Sequence, residues 1–342
     1  MNVKMTLGVL LAGVMMLNGC ISDDDSYTQG VWLEKANLDG PARGHACSFT
    51  IGNRGYLCCG YGYNKNLNDL WIYHIDDNFW EEGTSMPATE RHDATAFTID
   101  GKGYVTTGAN RTTGTYMKDT WEYNPDTDTW TQMDDFPGTA RYGAFSFSLN
   151  GYGYVGGGRD ENNYLKDIYR FDPTAPSGSQ WTQVVGYPGT KRMYATTFVI
   201  DNEAYLCCGS NNSTNVYDFW KFDGTTWTQL RDIKDSSDYE YDDDYNIVRN
   251  QAVAFVIDGK AILVGGNSSE SSGSNYSDWW IYDPATDLWT GEGDYGYTSF
   301  EGSSRTGSAG FSTGERGFII GGKSGSSVYD DVWELLPYEL ED

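Results

Sequence analysis

The stretch YLCCG occurs twice, at Tyr56 to Gly60 and at Tyr205 to Gly209. It sets two pairs of vicinal thiols, Cys58–Cys59 and Cys207–Cys208, in the pattern that a thiolate metal site or a redox pair would use. A second constellation is TERHDAT, where Glu90, His92 and Asp93 stand beside Arg91. These residue types supply a general acid and base with a cation for an anionic substrate, although the same cluster is also an ordinary salt-bridged turn. His45 pairs with His92 as a two-imidazole metal candidate. A third feature is the acidic run from Arg231 to Arg249, RDIKDSSDYEYDDDYNIVR, in which Asp238, Glu240, Asp242 and Asp244 could offer oxygen ligands to Ca²⁺. That run lacks the fixed glycine turn and closing glutamate of a calcium loop, and its other reading is a mobile acidic connection.

The elements that must position these groups recur with a period near fifty residues. Each unit opens on an arginine: Arg43, Arg91, Arg141, Arg192, Arg249 and Arg305. A strand follows, then a two-residue turn such as Asp100-Gly101 or Asp258-Gly259, then a second strand; Asp-Gly between alternating apolar strands is favoured hairpin chemistry. After a variable polar loop, an aspartate introduces a third strand, as in DLWIY at Asp69 or DTWEY at Asp119. A short turn leads to a fourth strand carrying Trp80, Trp130, Trp181, Trp227 or Trp289. The sixth unit stops after its third strand, and GVWLEKANL, with Trp32 at the fourth-strand position, stands before the first arginine. The N-terminal strand is therefore expected to complete the last unit and close a ring, which removes two unpaired strand edges.

This pattern of arginine, hairpin turn, glycine-terminated second strand, D-x-W-x-Y and fourth-strand tryptophan resembles the kelch repeat over nearly the whole chain. The resemblance implies an all-β, six-bladed kelch-type β-propeller with four antiparallel strands per blade, spanning 30–342. In the repeat, the second strand ends in a Gly-Gly doublet, as at Gly265–Gly266; Cys59 and Cys208 hold the first-glycine position, and Thr106–Thr107 stand at the corresponding place in blade 2. The cysteines thus read as small buried strand residues. Blades 1 and 4 lie on opposite sides of the ring, so the two pairs cannot meet in a disulfide or a four-thiolate site. Only Cys47, across from Cys58, offers a local partner.

The first nineteen residues read as a lipoprotein signal peptide, with LNGC at Leu17 to Cys20 resembling a lipobox and Cys20 the lipidated residue. Residues 20–29 form an acidic tether, and ISDDDS resembles a surface-export signal. Asp and Glu outnumber Lys and Arg by 49 to 23, a net charge of -26, which excludes nucleic acid and leaves the lipid as the only membrane contact. An outer-membrane lipoprotein, exposed at the cell surface and monomeric, is the expectation.

In kelch adaptor proteins the residues two places after the arginine face the channel mouth. Here they are His45, Asp93, Gly143, Tyr194, Gln251 and Gly307, flanked by His92, Tyr142, Met193 and Asn250. None is an arginine, so acidic-peptide capture is not supported. Tyrosine faces beside amides and carboxylates suit a sugar, although the same residues also line indifferent wet channels. A galactose-oxidase-type copper site, built of two histidines and two tyrosines, is not expected: His74 falls at a turn on the opposite rim, the oxidase's extra domains are absent, and no cysteine is free to crosslink a ligand tyrosine. No cofactor is implied. The expected function is a binding module for a glycan or an envelope protein partner. The alternatives are a sialic acid mutarotase using Glu90 and Asp93, with Arg91 or Arg159 on the sugar carboxylate, and a scaffold of an envelope assembly.

Overall fold

The computed structural model describes residues 28–235, 245–269, 273–291 and 299–341, without the side chains of 28, 29, 235, 245, 340 and 341. Cys20 with its signal segment, most of the tether, and the four carboxylates Asp238, Glu240, Asp242 and Asp244 lie outside the described residues. Among the described residues every regular element is a strand, and no helix is long and apolar enough to cross a membrane.

Six four-stranded antiparallel sheets are arranged as blades. Blade 1 is typical: Cys47–Ile51, Arg54–Cys58, Leu70–His74 and Phe79–Gly83 pair in chain order, with Cys47 opposite Cys58 as the hairpin count requires. The innermost strands, Cys47–Ile51, Thr95–Ile99, Phe145–Leu149, Thr196–Ile200, Val253–Ile257 and Ala309–Ser312, touch one another in sequence, and the last touches the first. Thr28–Lys35 pairs antiparallel with Val332–Glu341, so the N-terminal strand is the fourth strand of blade 6. That strand begins at Thr28, and its register breaks between Gln29 and Val31, where Gly30 (φ +91°) lets the backbone pass against the Trp279 ring. Trp32 is 3% exposed and packs edge-on against Phe300 (4.8 Å) and Trp279 (6.4 Å).

Adjacent blades lock through aromatic side chains of the innermost strands. Phe49 stacks on Tyr56 within blade 1 and reaches Tyr123 of blade 2. A Cβ at Gly103 would come within 2.2 Å of the Phe49 ring, so only glycine fits that place in the second strand of blade 2.

The recurring arginines are the second device. All six are at most 1% exposed, and five fork two nitrogens onto the aspartate that introduces the third strand of the same blade. Arg91, for example, reaches both oxygens of Asp119 at 2.7 Å. Arg192 meets the Asp218 carboxylate through one nitrogen and the Asp218 backbone carbonyl through the other, at 3.3 Å. In every blade the same guanidinium also donates to a carbonyl at the end of the second strand: Cys59, Thr107, Gly157, Cys208, Gly265 or Gly321. These arginines thus bond backbone, and their charge neutralises a partly buried aspartate within the blade.

The residue that offers this carbonyl always has a left-handed backbone, with φ between 58° and 65°. Glycine takes that conformation freely in blades 3, 5 and 6, whereas Thr107 takes it with a β-branched side chain whose Oγ1 is buried without a hydrogen-bond partner. Thr107→Gly is therefore expected to stabilise the fold by about 1 kcal/mol, the strain and the orphaned hydroxyl outweighing the extra freedom of the unfolded chain. A shift of the urea midpoint to higher concentration checks it.

Candidate functional site

The mouth of the channel is built on a second left-handed position in each blade. His45, Asp93, Gly143, Tyr194, Gln251 and Gly307 all have φ between 51° and 63°. Each donates its backbone N–H to the carbonyl of its counterpart in the preceding blade, from His45 to Gly307 through to Gly307 to Gln251, at 2.7 to 3.3 Å. Six such bonds form a closed hoop around the channel, an independent mark of ring closure. Two of its members are glycines because their neighbours lie over them. A Cβ at Gly307 would sit 3.1 Å from the His45 ring, and one at Gly143 would sit 3.0 Å from the Tyr194 ring. His45 and Tyr194 thus lean across the channel as a floor.

Asp93 ties the floor together. One carboxylate oxygen meets His45 Nδ1 at 2.8 Å; the other meets His92 Nδ1 at 2.7 Å and accepts from the Tyr194 hydroxyl at 3.0 Å. Burial alone would raise the Asp93 carboxyl, whose side chain is 7% exposed, but the charge and hydrogen bond of His45, with those of His92, hold it well below the usual carboxylate range. A depressed carboxyl adds stability that is fully present above its unfolded value of about 3.9 and is lost as pH falls below that value toward the folded one. The acid limb of the stability curve below about pH 4 is therefore expected to flatten in Asp93→Asn, read by urea unfolding at stepped pH.

Above the floor lies a cavity of about 870 Å³. Blades 1 to 4 give it a continuous aromatic wall: Arg111 lies 5.0 Å over the Tyr61 ring, Tyr61 is 6.0 Å from His92, and Tyr116, Tyr142 and Tyr194 follow at 5.1 and 6.3 Å. Blades 5 and 6 give a wall of amides and hydroxyls, with Asn250, Asn267, Asn275, Thr306 and Ser324. Asn250 is 1% exposed; its Nδ2 donates to Asn215 Oδ1 at 2.7 Å, while its Oδ1 has no partner among the described residues. Beneath the floor the channel narrows to a ring of Ala46, Ala94, Ala144, Ala195, Ala252 and Ser308.

Of the residues expected at the mouth, His45, His92, Asp93, Tyr142, Tyr194, Asn250 and Gln251 line this cavity together. Glu90 and Arg159 do not. The Glu90 side chain is 43% exposed and faces Lys65, with 3.9 Å between charged atoms. Arg159 pairs with Tyr142 through backbone, and its guanidinium lies over Tyr164 at 5.2 Å. Arg91 is excluded as a carboxylate partner, since it is 0% exposed and bound to Asp119. Among the described residues the cations on the lining are Lys323, on a short two-stranded ribbon of the kind that also carries Tyr61 and Tyr116, and Arg111, in the turn of such a ribbon. Sequence reasoning missed these four, because the residue types that follow each glycine-terminated second strand differ from blade to blade. The signal was the residue that follows each glycine-terminated second strand: Tyr61, Ala109, Arg159, Ser210, Asn267 or Lys323. His74 ends the third strand of blade 1 on the far face, beside the turn where it was expected, stacked on Phe79 and bonded to Glu81.

The geometry is that of a kelch-type six-bladed β-propeller with a polar, aromatic mouth. The chain belongs to the Attractin/LZTR1 beta-propeller family, whose model matches residues 55–333. It also resembles the solved structure of YjhT, with a TM-score of 0.69 at 17% identity over 87% of this chain and 95% of that one, a likeness that speaks for the fold alone. No curated protein sequence matches it significantly.

Proposed function

We propose that the protein is a cell-envelope lipoprotein whose propeller captures a glycan in the mouth cavity. The observation that carries this reading is the two-sided lining: tyrosine faces for the C–H face of a sugar on one wall, amides and hydroxyls for its hydroxyl groups on the other. A concave space of about 870 Å³ suits one or a few sugar residues better than the flat contact of a protein partner. The ionised Asp93 in the floor favours neutral sugars, and an acidic sugar would have to place its carboxylate by Arg111 or Lys323.

Strand polarity supports the envelope reading. The fourth strand of each blade runs toward the mouth, so Thr28 begins on the face opposite the cavity. A lipid on Cys20 followed by the acidic tether would turn the mouth away from the bilayer.

One observation favours a second reading, a sialic acid mutarotase. Asp93 engages Nδ1 of both His45 and His92, and neither Nε2 makes a hydrogen bond among the described residues. One imidazole could take the proton of an anomeric hydroxyl while the other protonates the ring oxygen, so that the ring opens and recloses with no net change. A glycan array, with NMR of anomer exchange in pure sialic acid, tests both readings. Retention of a glycan with no faster exchange is expected. Accelerated exchange, lost in His92→Gln and intact in Glu90→Gln, would move the assignment to the enzyme. Neither retention nor exchange would contradict both.

A further inference from the structure

Cys47, Cys58 and Cys59 converge in the interior of blade 1, and the backbone explains how. Successive side chains of a strand point to opposite faces, so vicinal cysteines on a regular strand would diverge. Cys59, however, follows the last residue of its strand with φ +65°, and that turn brings its thiol to within 3.4 Å of the Cys58 sulfur. Cys47, opposite Cys58 on the neighbouring strand, supplies the third thiol. The three sulfurs lie within 4.8 Å of one another, with Cys47 5% exposed and the other two 0%.

Three thiolates around one ion at metal–sulfur distances of about 2.3 Å stand about 4.0 Å apart in a trigonal plane, a spacing that sulfurs already within 4.8 Å of one another can adopt by small side-chain rotations. No fourth His, Cys, Asp or Glu joins the group among the described residues. Zn²⁺ in a structural site takes four ligands, and hard cations take oxygen, whereas a soft cation content with three sulfurs fits. We propose that Cys47, Cys58 and Cys59 form a three-sulfur site for a single soft cation, Cu(I) in particular. Binding forms three copper–sulfur bonds, releases thiol protons to solvent and transfers no electron. Arg43, paired with Asp69, donates to the Cys59 carbonyl at 3.0 Å and so fixes the turn that carries the Cys59 thiol.

The chain contains its own control. Blade 4 repeats the vicinal pair as Cys207–Cys208, with Cys208 at φ +60°, but the residue opposite Cys207 is Thr196. Threonine at that register position and glycine at the left-handed position are both tolerated elsewhere in this fold, so Cys47→Thr and Cys59→Gly remove thiols without foreign side chains. The reduced full chain is given Cu(I) anaerobically, before and after refolding, then challenged with a chromophoric Cu(I) chelator and desalted. One equivalent of copper per chain is expected, with near-ultraviolet thiolate-to-copper absorption. Cys47→Thr and Cys59→Gly should each lose it, and Cys208→Gly should keep it, with urea midpoints reporting that each variant folds. A wild-type chain that retains no copper, or a Cys47→Thr variant that retains as much as wild type, overturns the proposal.

Discussion

Asp119→Ala is expected to destabilise the propeller by about 3–5 kcal/mol, measured by urea unfolding. The substitution leaves the Arg91 guanidinium, 0% exposed, with its carbonyl partners but no counter-charge, and it also strips an acceptor from Trp121 Nε1 at 2.7 Å. Removing half of a buried pair costs more than the pair contributes, because the desolvated charge remains. The double variant Arg91→Met with Asp119→Leu should therefore recover part of the loss. An Asp119→Ala variant within about 1 kcal/mol of wild type would show that the forked pair does not hold the blade.

Tyr194→Ala should weaken glycan binding by about 2 kcal/mol, roughly thirtyfold, while leaving the fold intact. The ring spans the channel from blade 4, lies over Gly143 and carries the hydroxyl that reaches Asp93. Its removal takes away stacking surface and opens the floor. Tyr194→Phe keeps the ring and gives up the hydroxyl that reaches Asp93, a carboxylate that still holds two imidazoles, so it should bind close to wild type. Titration calorimetry with a glycan found on the array separates the two variants. Equal affinity for Tyr194→Ala and wild type would remove the floor from the site.

The repeat made the blades, their strand order and the closing role of Trp32 legible, because each is written in residues at fixed offsets. The six hoop positions were legible for the same reason, two places after each arginine. The forked ion pair was not read, since its partners stand 26 to 29 residues apart across a loop of variable length. The signal existed: wherever the arginine recurs, the aspartate of the third strand recurs with it. The convergence of the cysteines was half legible. Pairing of Cys47 with Cys58 follows from the hairpin count, but the inward swing of Cys59 depends on a left-handed residue that no period encodes. Arg111 and Lys323 were missed because the residue types on these ribbons change from blade to blade: where blade 6 has Lys323, blade 1 has Tyr61 and blade 2 has Ala109. Arg91 was misread as a site cation for the opposite reason, since its place beside His92 and Asp93 in sequence says nothing of a side chain turned into the blade.

A crystal structure of the complex with the tightest array glycan tests the central claim most directly. The sugar should lie on the floor of His45, Asp93 and Tyr194, with one face against the Tyr142 or Tyr61 ring and its hydroxyls reaching Asn250 or its neighbours. A sugar bound on the outer edge of a blade, or on the face where Thr28 begins, with the mouth cavity holding solvent alone, would contradict it.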